Sequence, residues 1–162
     1  MSFQMQPSRL PHGGWPEGME RTPGSDQTYP AGCPVTWTTG SQELDIHPGT
    51  STVTNILGVT LEGVVSGDAD NPNGKVSVVS AAHPNIFIAK LVNGSGTVQT
   101  AATSNIHVLY GMIVVGSGST QWWGVDEDDT GDPVLEVIGI DTDRNVVIFR
   151  FLNTAVQTSG AF

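Results

Sequence analysis

The sequence predicts an all-β protein: a small β-barrel or sandwich domain over residues 34–162, preceded by a long extended N-terminal arm over residues 1–33. Three observations predict it. From residue 34 onward, short runs rich in Val, Ile, Thr and aromatic residues alternate with Gly-, Asn-, Asp- and Ser-rich breaks, and no stretch has a period near 3.6. The composition is rich in turn formers, with 20 Gly and 10 Pro among 162 residues. Residues 1–30 hold five prolines and four glycines and show no period at all.

The arm is extended by its own chemistry. Proline fixes φ, withholds a donor and pushes the residue before it toward extended conformations. Yet the arm carries Phe3, Leu10, Trp15 and Tyr29, which a purely solvated tail does not need. They are the candidate anchors of an arm that orders on a partner surface.

Strands are expected at 35–38 and 43–47, a first hairpin around the turn at 39–41, closed by Pro48 and Gly49. Residues 55–65 follow, with Gly58 and Gly63 marking bulges or bends. After a wide polar turn at 67–74 come strands at 75–80 and 85–92. In the second, Phe87, Ala89 and Leu91 share one face and Ile86, Ile88 and Lys90 the other, which predicts a strand covered on both sides. The turn at 93–96 leads to a weaker strand at 97–102, then to 107–115, nearly all apolar and expected to be central. Residues 120–125 form the next strand. The last hairpin pairs 134–140 with 145–152, placing Val147, Phe149 and Phe151 on one face and Val146, Ile148, Arg150 and Leu152 on the other. About ten strands on short turns point to a barrel or sandwich.

Charge narrows the partners. Sixteen acidic residues against six basic ones give a net charge of −10, and charged residues total only 14%, against roughly 25% in ordinary domains. No Lys/Arg cluster exists to neutralise phosphates, so nucleic acid is not an expected partner, and neither is an anionic membrane surface. No apolar run is long enough to span a bilayer, and residues 1–16 lack the apolar core of a secretory signal. Cys33 is the only cysteine, which excludes an internal disulfide and suits a reducing compartment. The expectation is an acidic soluble protein assembled in a cytoplasm.

Candidate chemistry is sparse. In residues 126–132 (DEDDTGD), Asp126, Asp128, Thr130 and Gly131 match the first, third, fifth and sixth positions of a calcium loop, but Val137 stands where the closing bidentate Glu belongs. Asp126 and Asp128 are therefore weak metal candidates beside the reading of a solvated acidic turn, which applies also to Asp68 and Asp70. His12, His47, His83 and His107 have no metal-ligand spacing, and Cys33 reads as a small buried hydrophobe. No nucleophile elbow, P-loop or Rossmann fingerprint is present, so no catalytic residue, cofactor or enzymatic activity is expected. Trp122 and Trp123 are consecutive on a strand, so one turns inward and the other outward. The outward ring could anchor a subunit interface, stack on a sugar, or cap a small second cluster.

Several features resemble the head decoration, or capsid cement, proteins of tailed bacteriophages. They are Tyr29-Pro30-Ala31-Gly32 at the end of the arm, Pro34-Val35, then Ile56-Leu57-Gly58-Val59 some twenty residues later, the Tyr110-Gly111 step, Trp123-Gly124-Val125-Asp126, and the closing hairpin at 144–157. The pattern covers most of residues 29–157 and consists of order and spacing. The resemblance implies a barrel or β-tulip domain on the outer face of an expanded capsid, clamping neighbouring major capsid subunits. It implies partners in the major capsid protein and in further copies of the chain, a homotrimer ahead of a homodimer, and no catalytic residues. The other readings are a carbohydrate-binding β-sandwich using Trp122 or Trp123, a head- or tail-fibre component, and a trimeric all-β enzyme such as a nucleotide pyrophosphatase, whose substrate motifs are not found.

Overall fold

A computed structural model describes residues 4–8, 18–21, 23, 28–38, 43–47, 55–64, 76–117 and 120–157. The strands in chain order are β1 (Gln6–Pro7), β2 (Gly18–Arg21), β3 (Pro34–Thr38), β4 (Glu43–Ile46), β5 (Ile56–Thr60) and β6 (Val76–Ser80). They continue with β7 (Phe87–Ala89), β8 (Leu91–Val92), β9 (Leu109–Val115), β10 (Trp122–Asp126), β11 (Leu135–Asp141) and β12 (Val146–Phe151). A short 3₁₀ turn spans Thr103–Asn105. The chain is all-β, as its periodicity predicts.

The strands divide into two sheets instead of one barrel wall. The smaller has the order β2-β6-β5-β3-β4, antiparallel throughout. The larger has the order β1-β7-β12-β11-β9-β10-β8. In it β7 and β8 are successive parts of one segment, separated only by Lys90. The path from β7 through β12, β11, β9 and β10 to β8 therefore returns to the segment it left, so this sheet rolls into a barrel-like form. The final contact, β10 with β8, is parallel.

The inward faces follow the alternation. Phe87, Ala89 and Leu91 are buried, as are Val147, Phe149 and Phe151. Phe87, Phe149 and Phe151 form a triangle with ring centroids 5.3–5.9 Å apart, two of the three contacts edge-on, the geometry that aromatic quadrupoles favour. Strand β9 pairs with β10 on one side and β11 on the other, the central place its sequence predicts. Both sheets contribute to one apolar core, which also takes in Trp123, Tyr110 and Leu135.

Two bulges adjust the ladders. Val35 pairs with Gly58 and Thr36 with Ile56, leaving Leu57 as the extra residue. Gly58 is required here because a side chain at this position would strike the Val79 carbonyl of β6. In β11, Val137 opposes Phe149 and Gly139 opposes Ile148, so Ile138 is extra.

Two expectations are corrected. Residues 97–102 form no strand; Val98 makes an isolated bridge to Val92, and the backbone then enters the 3₁₀ turn. Its polar groups are satisfied elsewhere: Gln99 N–H donates to the Leu91 carbonyl, and the Asn145 carboxamide accepts from Ala101 N–H and donates to the Gln99 carbonyl. The second correction concerns the arm, whose boundary at residue 33 does not separate it from the body. Strand β1 pairs antiparallel with β7, and β2 pairs antiparallel with β6 over four residues. An extended chain with free main-chain donors and acceptors completes a sheet edge that is otherwise bare.

Candidate functional site

The leader is built into the body at three levels. Gln6 and Pro7 pair with Ile88 and Phe87, and Ser8 N–H donates to the Ile86 carbonyl at 2.8 Å. Met5 just before them is 1% exposed. Gly32, at φ +79°, lies so close to the Met5 carbonyl that no side chain fits, which fixes β1 against the end of the leader. Tyr29 and Val64 exchange two main-chain hydrogen bonds of 2.8 and 2.7 Å. Gly32 N–H donates to the Thr60 carbonyl, and Cys33 N–H to the Thr60 hydroxyl.

These contacts revise the anchor assignments. Tyr29 is 1% exposed and belongs to this chain's own core, so it is not a surface anchor. Burial, with smaller contributions from Cys33 and Asp45, pushes its phenol well above the ordinary range. Phe3, Leu10 and Trp15 lie outside the described residues. Cys33 is fully buried, its thiol donates to the Pro30 carbonyl, and burial raises its pKa. Such a thiol is unreactive.

The tryptophan pair divides as strand geometry requires. Trp123 is 1% exposed and faces the core, which removes it as a subunit-interface residue. Trp122 is half-buried on the outer face of the β9–β10 ribbon, opposite Val115 and on the same side as half-buried Ile113. Its ring reaches back over Gly124, which has no side chain to obstruct it.

The acidic turn is an internally bonded structure. Asp126 is buried and its Oδ1 accepts from Asp128 N–H at 3.1 Å. Asp128 Oδ2 in turn accepts from Gly94 N–H at 2.8 Å, tying the turn to the loop after β8. The Asp129 carbonyl accepts from Gly111 N–H at 2.8 Å. Burial raises the Asp126 pKa; the Asp128 amide opposes the shift and the Asp128 and Asp129 charges add to it. Among the described residues no group of three or more His, Cys, Asp or Glu side chains is placed to hold a metal ion. Asp68 and Asp70 lie outside the described residues.

Of the histidines, His47 is fully buried, while His83 and His107 are exposed; His12 lies outside the described residues. His107 Nδ1 stands 3.4 Å from Glu136 Oε1. Arg150, across the β11–β12 ladder, donates from Nε and Nη2 to Glu136 Oε2 at 3.0 and 2.7 Å. The Arg150 hydrogen bond, with a smaller one from His107, holds the Glu136 carboxyl below its usual range. Beside this pair a groove of about 180 Å³ is lined by His83, Glu136, Arg150, Phe151, Leu152 and Asn153. The sequence reading missed Glu136 and Asn153. Outward alternation on the last hairpin was the available signal for Glu136, but the bulge at Ile138 hides the register that sets it opposite Arg150.

The chain has no match among protein-family models, curated proteins or solved structures. What the geometry offers is a leader that completes edges of both sheets, a half-buried Trp122 on the outer face of β10, and a groove beside the Glu136–Arg150 pair.

Proposed function

We propose that this chain is a structural virion protein, a head decoration protein that stabilises the outside of a phage capsid by bridging major capsid subunits. The observation that carries the reading is an all-β body whose own leader completes edges of both sheets, leaving a rigid unit with closed strand edges that suits repetition across a lattice. The sequence pattern over residues 29–157 supports the same assignment.

Burial of Met5 and Tyr29 modifies how such a protein grips. The leader is no free tether. Residues 4–8 and 28–33 are held against the body, so little ordering entropy, about 1–2 kcal/mol per fixed backbone residue, is left to be lost there on binding. Attachment then relies on a rigid body repeated across a symmetric lattice, where contacts between copies multiply retention. We assign the contact between copies to Trp122 with Ile113, in a homotrimer, and the outer face of the capsid as the place of work. A head- or tail-fibre component would share this architecture.

The test is uptake. Purified protein is mixed with expanded heads assembled from the major capsid protein of the phage that carries it, then sedimented and imaged. Saturable, lattice-ordered binding and a higher rupture temperature are expected. Heads that take up none of the protein overturn the proposal.

A further inference from the structure

The groove beside Glu136 and Arg150 plays no part in the attachment argued above, and its chemistry is specific. Both Glu136 oxygens are engaged, Oε2 by Arg150 and Oε1 by His107, so this carboxylate orients its neighbours. Arg150 spends Nε and Nη2 on that contact. A guanidinium carries five N–H donors in a fixed plane, and the Arg150 side chain is 45% exposed, so donors beyond the two spent on Glu136 are left for a ligand. Exposed His83 and Asn153 add polar groups at the rim, and half-buried Leu152 gives an apolar wall.

Charge selects the ligand. Arg150 and Glu136 cancel, leaving the groove neutral when the histidines are neutral. An anion would meet Glu136 and the field of a chain with net charge −10, and a cation would meet Arg150. The volume, about 180 Å³, is below the roughly 300 Å³ at the small end of drug-sized sites. From these observations we infer that the groove is a subsite for one neutral sugar ring, free or at the end of a glycan. Its hydroxyls accept from Arg150 and Asn153 while one face of the ring rests on Leu152.

The experiment is a ¹H–¹⁵N NMR titration of the full chain with methyl glycosides of glucose, galactose and mannose, with sodium acetate and inorganic phosphate as parallel arms. Saturable shifts of the amides of residues 83 and 150–153 by at least one glycoside are expected, with a Kd on the order of 1–10 mM for so small a ligand. Arg150→Gln should weaken binding about tenfold. Asn153→Ala, which leaves the Glu136 pair in place, should weaken it by several-fold. The inference is overturned if no glycoside moves these amides, if acetate or phosphate moves them in place of the glycosides, or if both variants bind as the parent does. Capsid uptake is read separately, so failure here leaves the attachment proposal standing.

Discussion

The carboxamide of Gln157 closes two hydrogen bonds on the main chain of Trp37, accepting from its N–H at 2.8 Å and donating to its carbonyl at 3.0 Å. The partners are 120 residues apart. A side chain here takes the place of a neighbouring strand, extending the contact that begins with the Ile56–Val156 bridge and joins the end of the larger sheet to the smaller one. Gln157→Ala would remove both of these bonds to the Trp37 main chain in a half-buried position, a loss of about 1–3 kcal/mol. Gln157→Glu keeps the acceptor but presents a carboxylate to the Trp37 carbonyl, and should cost at least as much. Urea unfolding of the two variants checks both; loss of less than about 0.5 kcal/mol in each would mean that solvent replaces the clasp.

Asn145 performs a similar service from a left-handed backbone, φ 50°, at the end of the β11–β12 turn. Its side chain bonds Ala101 N–H and the Gln99 carbonyl, while Lys90 Nζ bonds the Arg144 and Asn145 carbonyls at 2.6 and 3.0 Å. Substitution by Gly removes the clasp but relieves the backbone; substitution by Ala removes the clasp and keeps the strain. Asn145→Ala should therefore be the less stable of the two by about 1 kcal/mol. Equal thermal stabilities would show that the backbone conformation contributes nothing.

At Gly58 the constraint is space. An added methyl group would collide with the Val79 carbonyl in the middle of the smaller sheet. Gly58→Ala should cost more than about 2 kcal/mol, since β5 and β6 must separate to admit it. Gly131, with open space around it in the acidic turn, is the control, and Gly131→Ala should stay within about 0.5 kcal/mol. Circular dichroism melts of the pair separate close packing from a general intolerance of glycine replacement.

Much of the body was legible because each strand reports its own burial. Val147, Phe149 and Phe151 announce their face, and the apolar run of β9 announces its central place. Pairings set by distant residues were hidden. Gln6 and Pro7 carry no strand signal, and they become a strand only because the edge of β7 needs a partner. The parallel contact between β8 and β10 depends on the roll of the whole sheet. Residues 97–102 have strand-forming composition, but the Asn145 side chain takes their main-chain bonds. The groove illustrates the same limit. Counting outward from the Asp141–Val146 pair sets Arg150 opposite Val137; the extra residue Ile138 moves it opposite Glu136.

Two carboxylates give opposite responses to pH. The Asp126 pKa is raised, chiefly by burial, so folding favours its protonated form. That contribution is complete below the unfolded-state value, about 3.9, and is lost as pH rises through the higher folded-state value. Glu136 is lowered by Arg150, so its contribution is present above the ordinary glutamate value and is lost as pH falls through the lowered one. Asp126→Asn keeps an acceptor for Asp128 N–H and should melt higher than the parent at pH 7, the gain vanishing near pH 3. Glu136→Gln should melt lower at pH 7, the deficit also shrinking in acid. Melting curves across pH 3–7 that move both variants in the same direction would contradict the assigned causes.

The leader gives the largest expected effect. Sequence alone suggests that residues 1–30 could be removed without harm to the domain. The structure places Met5 and Tyr29 in the core and sets β1 and β2 along the edges of β7 and β6. Deleting residues 1–30 should therefore yield a protein that aggregates or fails to fold, because it opens core volume and bares two strand edges together. Point variants resolve the contributions. Met5→Ala should cost about 2–5 kcal/mol and Tyr29→Ala about 3–5 kcal/mol, as large-to-small core changes do. Tyr29→Phe is the discriminating case. The buried Tyr29 hydroxyl has no hydrogen-bond partner among the described residues, so its removal should leave stability unchanged or raise it by about 1 kcal/mol. A truncated chain with a cooperative transition and native-like spectra would return the leader to the role of a detachable arm.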